Sequence, residues 1–316
     1  MEAIGRFVVQ ERLGVGAHAA VYRAEDPVLE QLVAIKVLSA HVAFDPDGRA
    51  RFIKEARLLR RMDSVRTAKV YDVAQLPDGR PYLVLELAER GTLEHRIDAM
   101  AERGQPITPV DLRGLVLALG AALTAIHERG VVHRDVKPSN ILLKATPEGQ
   151  VTDAQPGGVL LRGDDFLVLA DFGLAKALDS TRLVTAAAGT PAYMAPEQAA
   201  LGAPIDARAD IFAASAVVAE VLEMTAGPRD PRIVAELARG RAHDPAARHP
   251  DARTWARDLA GAIDASLEPA TVLGAPVVAP VAPAGPAGPA APAAPVVAAP
   301  PVGAVPPAPS YLSPPV

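Results

Sequence analysis

A carboxylate, an amine and a carboxamide crowd together at Asp135, Lys137 and Asn140, inside the stretch Val131-Val132-His133-Arg134-Asp135-Val136-Lys137-Pro138-Ser139-Asn140-Ile141-Leu142-Leu143. That density of reactive groups is more than a merely structural turn needs, and the loop looks built to act on something. Taken alone, the same spacing also fits a solvated turn in which Asp135 and Asn140 bond to nearby backbone. Other stretches add candidates, each weak alone, and a lysine among aliphatics more often snorkels from a strand edge than does chemistry. Lys36 sits alone among the aliphatics of Val33-Ala34-Ile35-Lys36-Val37-Leu38, and Asp171 follows the apolar run Phe166–Ala170. Leu13-Gly14-Val15-Gly16-Ala17-His18-Ala19-Ala20-Val21 is a loop of small residues whose backbone N–H groups can lie close over phosphates.

The elements that must position these residues are legible in the surrounding pattern. The glycine-containing loop is flanked by strand-like segments, and Val21-Tyr22-Arg23-Ala24 continues as strand, which excludes a dinucleotide-binding fold with its helix directly after the glycines. Asp45 and Pro46 form an N-cap and first-turn pair. Phe52, Ala56 and Leu59 then fall on one helical face, with Glu55 beside them, where it can turn toward Lys36 once the helix packs on the sheet. Strand patterns at Ala68–Gln75 and Pro81–Leu87 flank the turn Pro77-Asp78-Gly79-Arg80. Thr108-Pro109-Val110-Asp111 caps a core helix through Ile126, and Gly130 ends it just before the polar loop.

In motif order the chain resembles the protein kinases, specifically the eukaryotic-like serine/threonine kinases of bacteria. The resemblance rests on His133-Arg134-Asp135 with Lys137 and Asn140, Val33-Ala34-Ile35-Lys36, Asp171-Phe172-Gly173 and Ala195-Pro196-Glu197. It implies an α+β, two-lobed protein-kinase-like fold. The N-lobe, about residues 1–87, would be a small antiparallel β lobe plus one helix, and the C-lobe, about 88–265, larger and mainly helical. It implies ATP and Mg2+ as cofactors, with Mn2+ as an alternative ion. Leu13, Gly14, Val15, Gly16, Ala17, Ala19, Val21, Ala34 and Lys36 would surround the nucleotide, with hinge residues Glu86 and Ala88 meeting adenine. Asp135 would orient the substrate hydroxyl, Lys137 steady the phosphoryl group, Glu55 hold Lys36, and Asn140 and Asp171 bind metal.

The resemblance further implies regulatory and structural roles. Thr185, Thr181 and Ser180 would be autophosphorylation sites in an activation segment whose phosphate Arg134 could pair, and Thr190 would contact Asp135. Asp210 would anchor the catalytic loop, and Arg248 would pair with Glu197. Departures from the family pattern are also visible. Ala19 replaces the third glycine of the loop, residues 144–165 read as an inserted surface loop, and one late C-lobe helix is missing, because Met224–Arg229 leads almost directly into Ile233–Leu237. Lys36, Glu55, Asp135, Asn140 and Asp171 are all present, which implies transfer to Ser/Thr hydroxyls of protein substrates. The alternative is a pseudokinase or nucleotide-binding scaffold, and a homodimer is a further possibility by analogy.

Bulk properties exclude several other classes. The chain has 316 residues and no cysteine, so thiolate catalysis, disulfides and Cys-ligated metals are ruled out. A net charge of −5 with mixed signs offers no broad basic face, and no nucleic-acid partner is expected. Residues 266–316 are rich in Ala and Pro, hold about half of the 31 prolines, and read as a disordered, polyproline-like tail. Proline costs about 3 kcal/mol in a helix interior, so no membrane span is expected there. Met1-Glu2-Ala3-Ile4 opens directly into a strand pattern without a signal peptide, and a cytoplasmic location is expected.

Overall fold

The computed structural model describes residues 3–62, 64–172, 191–200, 202–225 and 229–267. Ser180, Thr181, Thr185 and Thr190 lie outside these residues, as do Gly173 and the stretch from residue 268 onward. The N-terminal part is a six-stranded sheet built from β1 (Ala3–Ile4), β2 (Phe7–Val15), β3 (Ala19–Asp26), β4 (Gln31–Leu38), β5 (Val70–Gln75) and β6 (Pro81–Glu86). Its order is β1-β2-β3-β4-β6-β5, and all of the pairings are antiparallel.

Two-residue alternation gives β4 its two faces. Val33, Ile35 and Val37 join Phe7, Tyr82 and Val84 in one apolar cluster. Leu38 faces the other way, toward Phe52 and Ala56. Lys36 has the parity of Leu38 and therefore shares the face covered by a helix. That helix, α2 (Pro46–Arg61), follows the short α1 (Ala40–Ala43), an element absent from the sequence-based expectation. Asp45 caps α2 by accepting the Gly48 N–H at 3.1 Å, and Pro46 occupies the first turn, where a missing N–H costs nothing. Burial of Phe52, Ala56 and Leu59 fixes its rotation, each large apolar side chain contributing about 1.5–3 kcal/mol.

The strand expected from Ala68 begins at Val70. The reason is a competing partner. Thr67 and Leu169 form a parallel bridge, with Ala68 N–H donating to the Leu169 carbonyl and Leu169 N–H to the Arg66 carbonyl. This segment ties the sheet-bearing part of the chain to the hairpin of the helical part.

That part comprises α3 (Leu93–Glu102), α4 (Pro109–His127), the hairpin β7 (Ile141–Ala145) and β8 (Asp165–Leu169), the one-turn α5 (Pro196–Ala199), α6 (Arg208–Glu223), α7 (Pro231–Gly240) and α8 (Ala252–Leu267). Thr108 and Asp111 form a reciprocal capping box at the start of α4. Leu112, Leu115, Leu119, Leu123 and Ile126 are fully buried along α4. Among the described residues α4 is the one helix long and apolar enough to cross a membrane, and most of it is buried in this core. Gly120 lets α8 approach, because a Cβ there would lie 2.2 Å from that of Ala256. Gly130, at φ 72°, supplies the left-handed stop after α4. Between Glu223 and Pro231 the described residues hold no helix.

Residues 144–165, expected to be a surface loop, are partly core. Lys144 and Ala145 complete β7, and Asp165 begins β8. Leu160 and Leu161 are buried in the main apolar cluster. The segment is bolted down by charges that its turn-rich composition conceals. Asp153 pairs with Arg66 at 2.5 Å and accepts the Leu167 N–H. Asp165 pairs with Arg90 and Arg96, each at 2.8 Å. The second carboxylate oxygen of Asp111 accepts the Val159 and Leu160 N–H groups. Glu148–Val151, Pro156–Gly157 and Arg162–Asp164 are the exposed stretches of the segment.

Candidate active site

The cleft is built around Lys36. Its strand pairs with Val21 on one side and Leu83 on the other, so the backbone is held from both edges. Its Nζ lies 3.2 Å from Glu55 Oε1 on α2 and 2.9 Å from Asp171 Oδ1. Burial works against charge on Lys36, but the carboxylates of Asp171 and Glu55 outweigh it and hold the pKa above its ordinary value. Burial raises the Glu55 carboxyl, opposed by Lys36. Burial also pushes Asp171 upward, but Lys36 more than cancels it and leaves this carboxyl below the usual range. Lys36 and Asp171 are therefore a charged pair at neutral pH.

The residues of the 133–140 loop are held by a buried carboxylate from far along the chain. Asp210 is fully buried near the start of α6 and accepts the backbone N–H groups of His133 and Arg134, each at 2.7 Å, with His127 Nε2 at 2.8 Å. It holds Arg134 at φ 68°, a left-handed conformation that costs a non-glycine residue about 1–2 kcal/mol. Asp171 is similarly left-handed at φ 57°.

His133 links them. Its Nε2 is 3.0 Å from the Ala170 carbonyl, its Nδ1 accepts the Asp135 N–H at 3.3 Å, and its ring packs on Phe172 with centroids 4.4 Å apart. One donor and one acceptor require the neutral, Nε2-protonated ring, and burial lowers the pKa in the same direction. Val136 and Pro138 are buried, as His133 is, while Asp135 and Lys137 stay partly open. Asn140 donates Nδ2 to the Asp135 carbonyl at 2.8 Å and to Asp135 Oδ2 at 3.0 Å. With the amide nitrogen so committed, Asn140 keeps Oδ1 as a hard oxygen donor. Lys137 Nζ lies 3.3 Å from Asp135 Oδ2.

Leu13, Gly14, Val15, Gly16 and Ala17, expected to surround a nucleotide, are exposed at the β2–β3 turn, which closes through Gly16 N–H to the Ala19 carbonyl at 2.8 Å. Ala19, in place of a third glycine, is buried and paired with Leu38, so its methyl is accommodated in the sheet. Ala34 is buried and Val21 half-buried on the two strands behind the loop. Glu86 ends β6 with its N–H donated to the Lys69 carbonyl. The Ala88 carbonyl accepts from Gly91.

Several contributors escaped the sequence reading. Lys144, partnered with Glu86 at 2.8 Å, ties the hinge to β7. Gln198 accepts the Ala195 N–H and donates Nε2 to the Arg134 carbonyl at 2.8 Å, joining the Ala195-Pro196-Glu197 motif to the catalytic loop. Polar residues of this kind carry no periodic signal, and only their place in the fold reveals them. Glu197 itself receives both guanidinium nitrogens of Arg248, at 2.7 and 2.8 Å, and Arg248 also packs over the Phe212 ring.

Serine/threonine-protein kinase PknL of Mycobacterium bovis is 36% identical over 220 residues, covering 69% of this chain and 49% of the relative. A probable serine/threonine-protein kinase PknB of Corynebacterium glutamicum is 34% identical over 224 residues, covering 69% of this chain and 31% of the relative. The chain thus spans about half, or less, of the length of these curated relatives. The crystal structure of the Mycobacterium tuberculosis PknI kinase domain superposes with a TM-score of 0.59 at 26% identity, covering 83% of this chain and 98% of that one. The protein kinase domain family matches residues 7–231, a span that takes in Lys36, Glu55, the 133–140 loop, Asp171 and Asp210 together, and the chain belongs to that family.

Proposed function

We propose that the protein transfers the γ-phosphate of ATP to Ser and Thr hydroxyls of proteins in bacterial signalling, its own activation segment included. The observation that carries this reading is the convergence of Lys36, Glu55 and Asp171 within 3.2 Å contacts beside an Asp135–Asn140 pair already hydrogen-bonded to one another. Asn140 Oδ1 and the Asp171 carboxylate are a hard, oxygen-only donor set, which fits Mg2+ and also Mn2+. The bound ion would neutralise phosphate charge. The Ala88 N–H, which has no acceptor among the described residues, and the Glu86 carbonyl fit an adenine edge.

Asp135 is the base. It takes the proton of the substrate hydroxyl as that oxygen forms its bond to phosphorus and the bond to the leaving diphosphate oxygen breaks. Lys137, 3.3 Å from the Asp135 carboxylate, supplies positive charge where negative charge spreads during transfer. Lys36, kept charged by its two carboxylates, binds the α- and β-phosphates, and Glu55 keeps it from collapsing onto Asp171 alone. The test is transfer of labelled γ-phosphate from ATP to a generic basic protein and to the chain itself. Asp135→Asn is expected to reduce the rate about 100-fold or more while nucleotide binding persists. Equal rates in the two proteins would refute the reading, and nucleotide binding without transfer in the unsubstituted chain would favour a pseudokinase.

A further inference from the structure

Helix α2 presents two contrasting surfaces. One carries Glu55 inward to Lys36. Another, on the outside, lines a groove of about 520 Å3 with Ala50, Lys54, Arg57, Leu58 and Arg61. Lys54, Arg57 and Arg61 are exposed, and none of them has an ion-pair or hydrogen-bond partner among the described residues. The helix has two carboxylates, Asp47 in its first turn and Glu55, which is buried and committed to Lys36. Three cations on one helical face therefore repel one another with no paired carboxylate among the described residues, a cost that an oppositely charged occupant removes.

We propose that this groove is the docking surface for an acidic protein segment, carboxylate-rich and bearing one medium apolar side chain. The geometry selects that chemistry. Ala50 to Arg61 spans about 16 Å along the axis, the length of about five extended residues. Leu58 and the methylene stems of the basic residues give the groove an apolar floor beneath a charged rim. A concave cleft of this size receives side chains and does not match a flat bilayer. The chain as a whole carries −5, so the basic face is local and unsuited to the extended backbone of a nucleic acid.

A labelled peptide of eight glutamates interrupted by one leucine, titrated into the full chain and followed by fluorescence anisotropy, tests the assignment. Saturable binding that weakens with added salt is expected. The triple variant Lys54→Glu, Arg57→Glu, Arg61→Glu is expected to bind about tenfold more weakly or worse, and the milder triple change to Gln to fall between. Thermal melts that match the unsubstituted chain establish that these exposed substitutions leave the fold intact. If only the Glu triple melts differently, the Gln triple decides. Equal binding by all three proteins overturns the proposal, as does binding to phosphatidylglycerol vesicles without binding to the peptide. The readout needs no phosphoryl transfer, so failure of the proposed kinase activity and failure of this docking surface are separately visible.

Discussion

Lys36 and Glu55, nineteen positions apart on a strand and a helix, meet at 3.2 Å on the covered face of the sheet. The contact exists only while α2 packs through Phe52, Ala56 and Leu59, so the rotation of a helix sets the chemistry of an amine. Glu55→Gln keeps the shape but removes the charge. It is expected to cost about 1.5–3 kcal/mol of the interaction that orients Lys36, which is about a tenfold to hundredfold loss in transfer rate. Steady-state kinetics with labelled ATP checks this, and an unchanged rate would remove Glu55 from the mechanism.

Asp210 satisfies two backbone donors that have no other acceptor in the loop. Asp210→Asn turns one acceptor into a donor facing N–H groups. The expected penalty is about 1–3 kcal/mol in urea denaturation, together with a lower transfer rate, because Asp135 follows Arg134 directly. Stability lost without any change in rate would mean that the loop keeps its shape by other means.

The Glu197–Arg248 pair is bidentate and nearly sealed from water. Arg248→Met leaves a buried carboxylate without its partner and is expected to destabilise the chain by about 3–5 kcal/mol. The double change with Glu197→Gln is expected to cost less than the sum of the two single changes, since each removes the other's stranded charge. Additive losses in a double-mutant cycle would contradict a direct coupling.

His133 gives a pH signature. Burial holds its folded pKa below the ordinary 6.5, so the folded chain binds fewer protons than the unfolded chain as pH falls. The stability it contributes is complete above about pH 6.5 and declines as pH drops from there toward the lowered folded value. His133→Phe is expected to flatten that limb of a urea-midpoint profile, while lowering stability at pH 7.5 through loss of the contacts to Ala170 and Asp135. A profile of unchanged slope would assign the acid sensitivity to other groups.

The 144–165 segment separates two kinds of loop. Asp153→Asn strands the charge of Arg66 and is expected to cost about 3–5 kcal/mol. Replacing the exposed Glu148–Val151 by two glycines is expected to change stability by no more than about 0.5 kcal/mol, since closure entropy depends weakly on length. Chemical denaturation of both variants checks the contrast, and a large loss from the second would show that the exposed tip is also structural.

Residue type and spacing supplied the candidate groups, and their order along the chain, through its resemblance to the protein kinases, named the chemistry. Lys36 among aliphatics, the Asp135–Asn140 loop and Asp171 after an apolar strand are local patterns. So are the caps at Asp45 and Thr108 and the stop at Gly130, because capping and turn conformation depend on residues within a few positions of each other. The packing of α2 on the sheet was legible from a helical stripe for the same reason. What the tertiary structure alone decided are the contacts between polar groups distant in sequence: Asp171 on Lys36, Gln198 on Arg134, Lys144 on Glu86, and the ion pairs that draw Asp153 and Asp165 into the body of the protein. A buried charge has no periodicity, and its partner can come from any element that folding brings within about 3 Å. The sequence therefore determined which groups this protein has to work with, and the fold decided which of them meet.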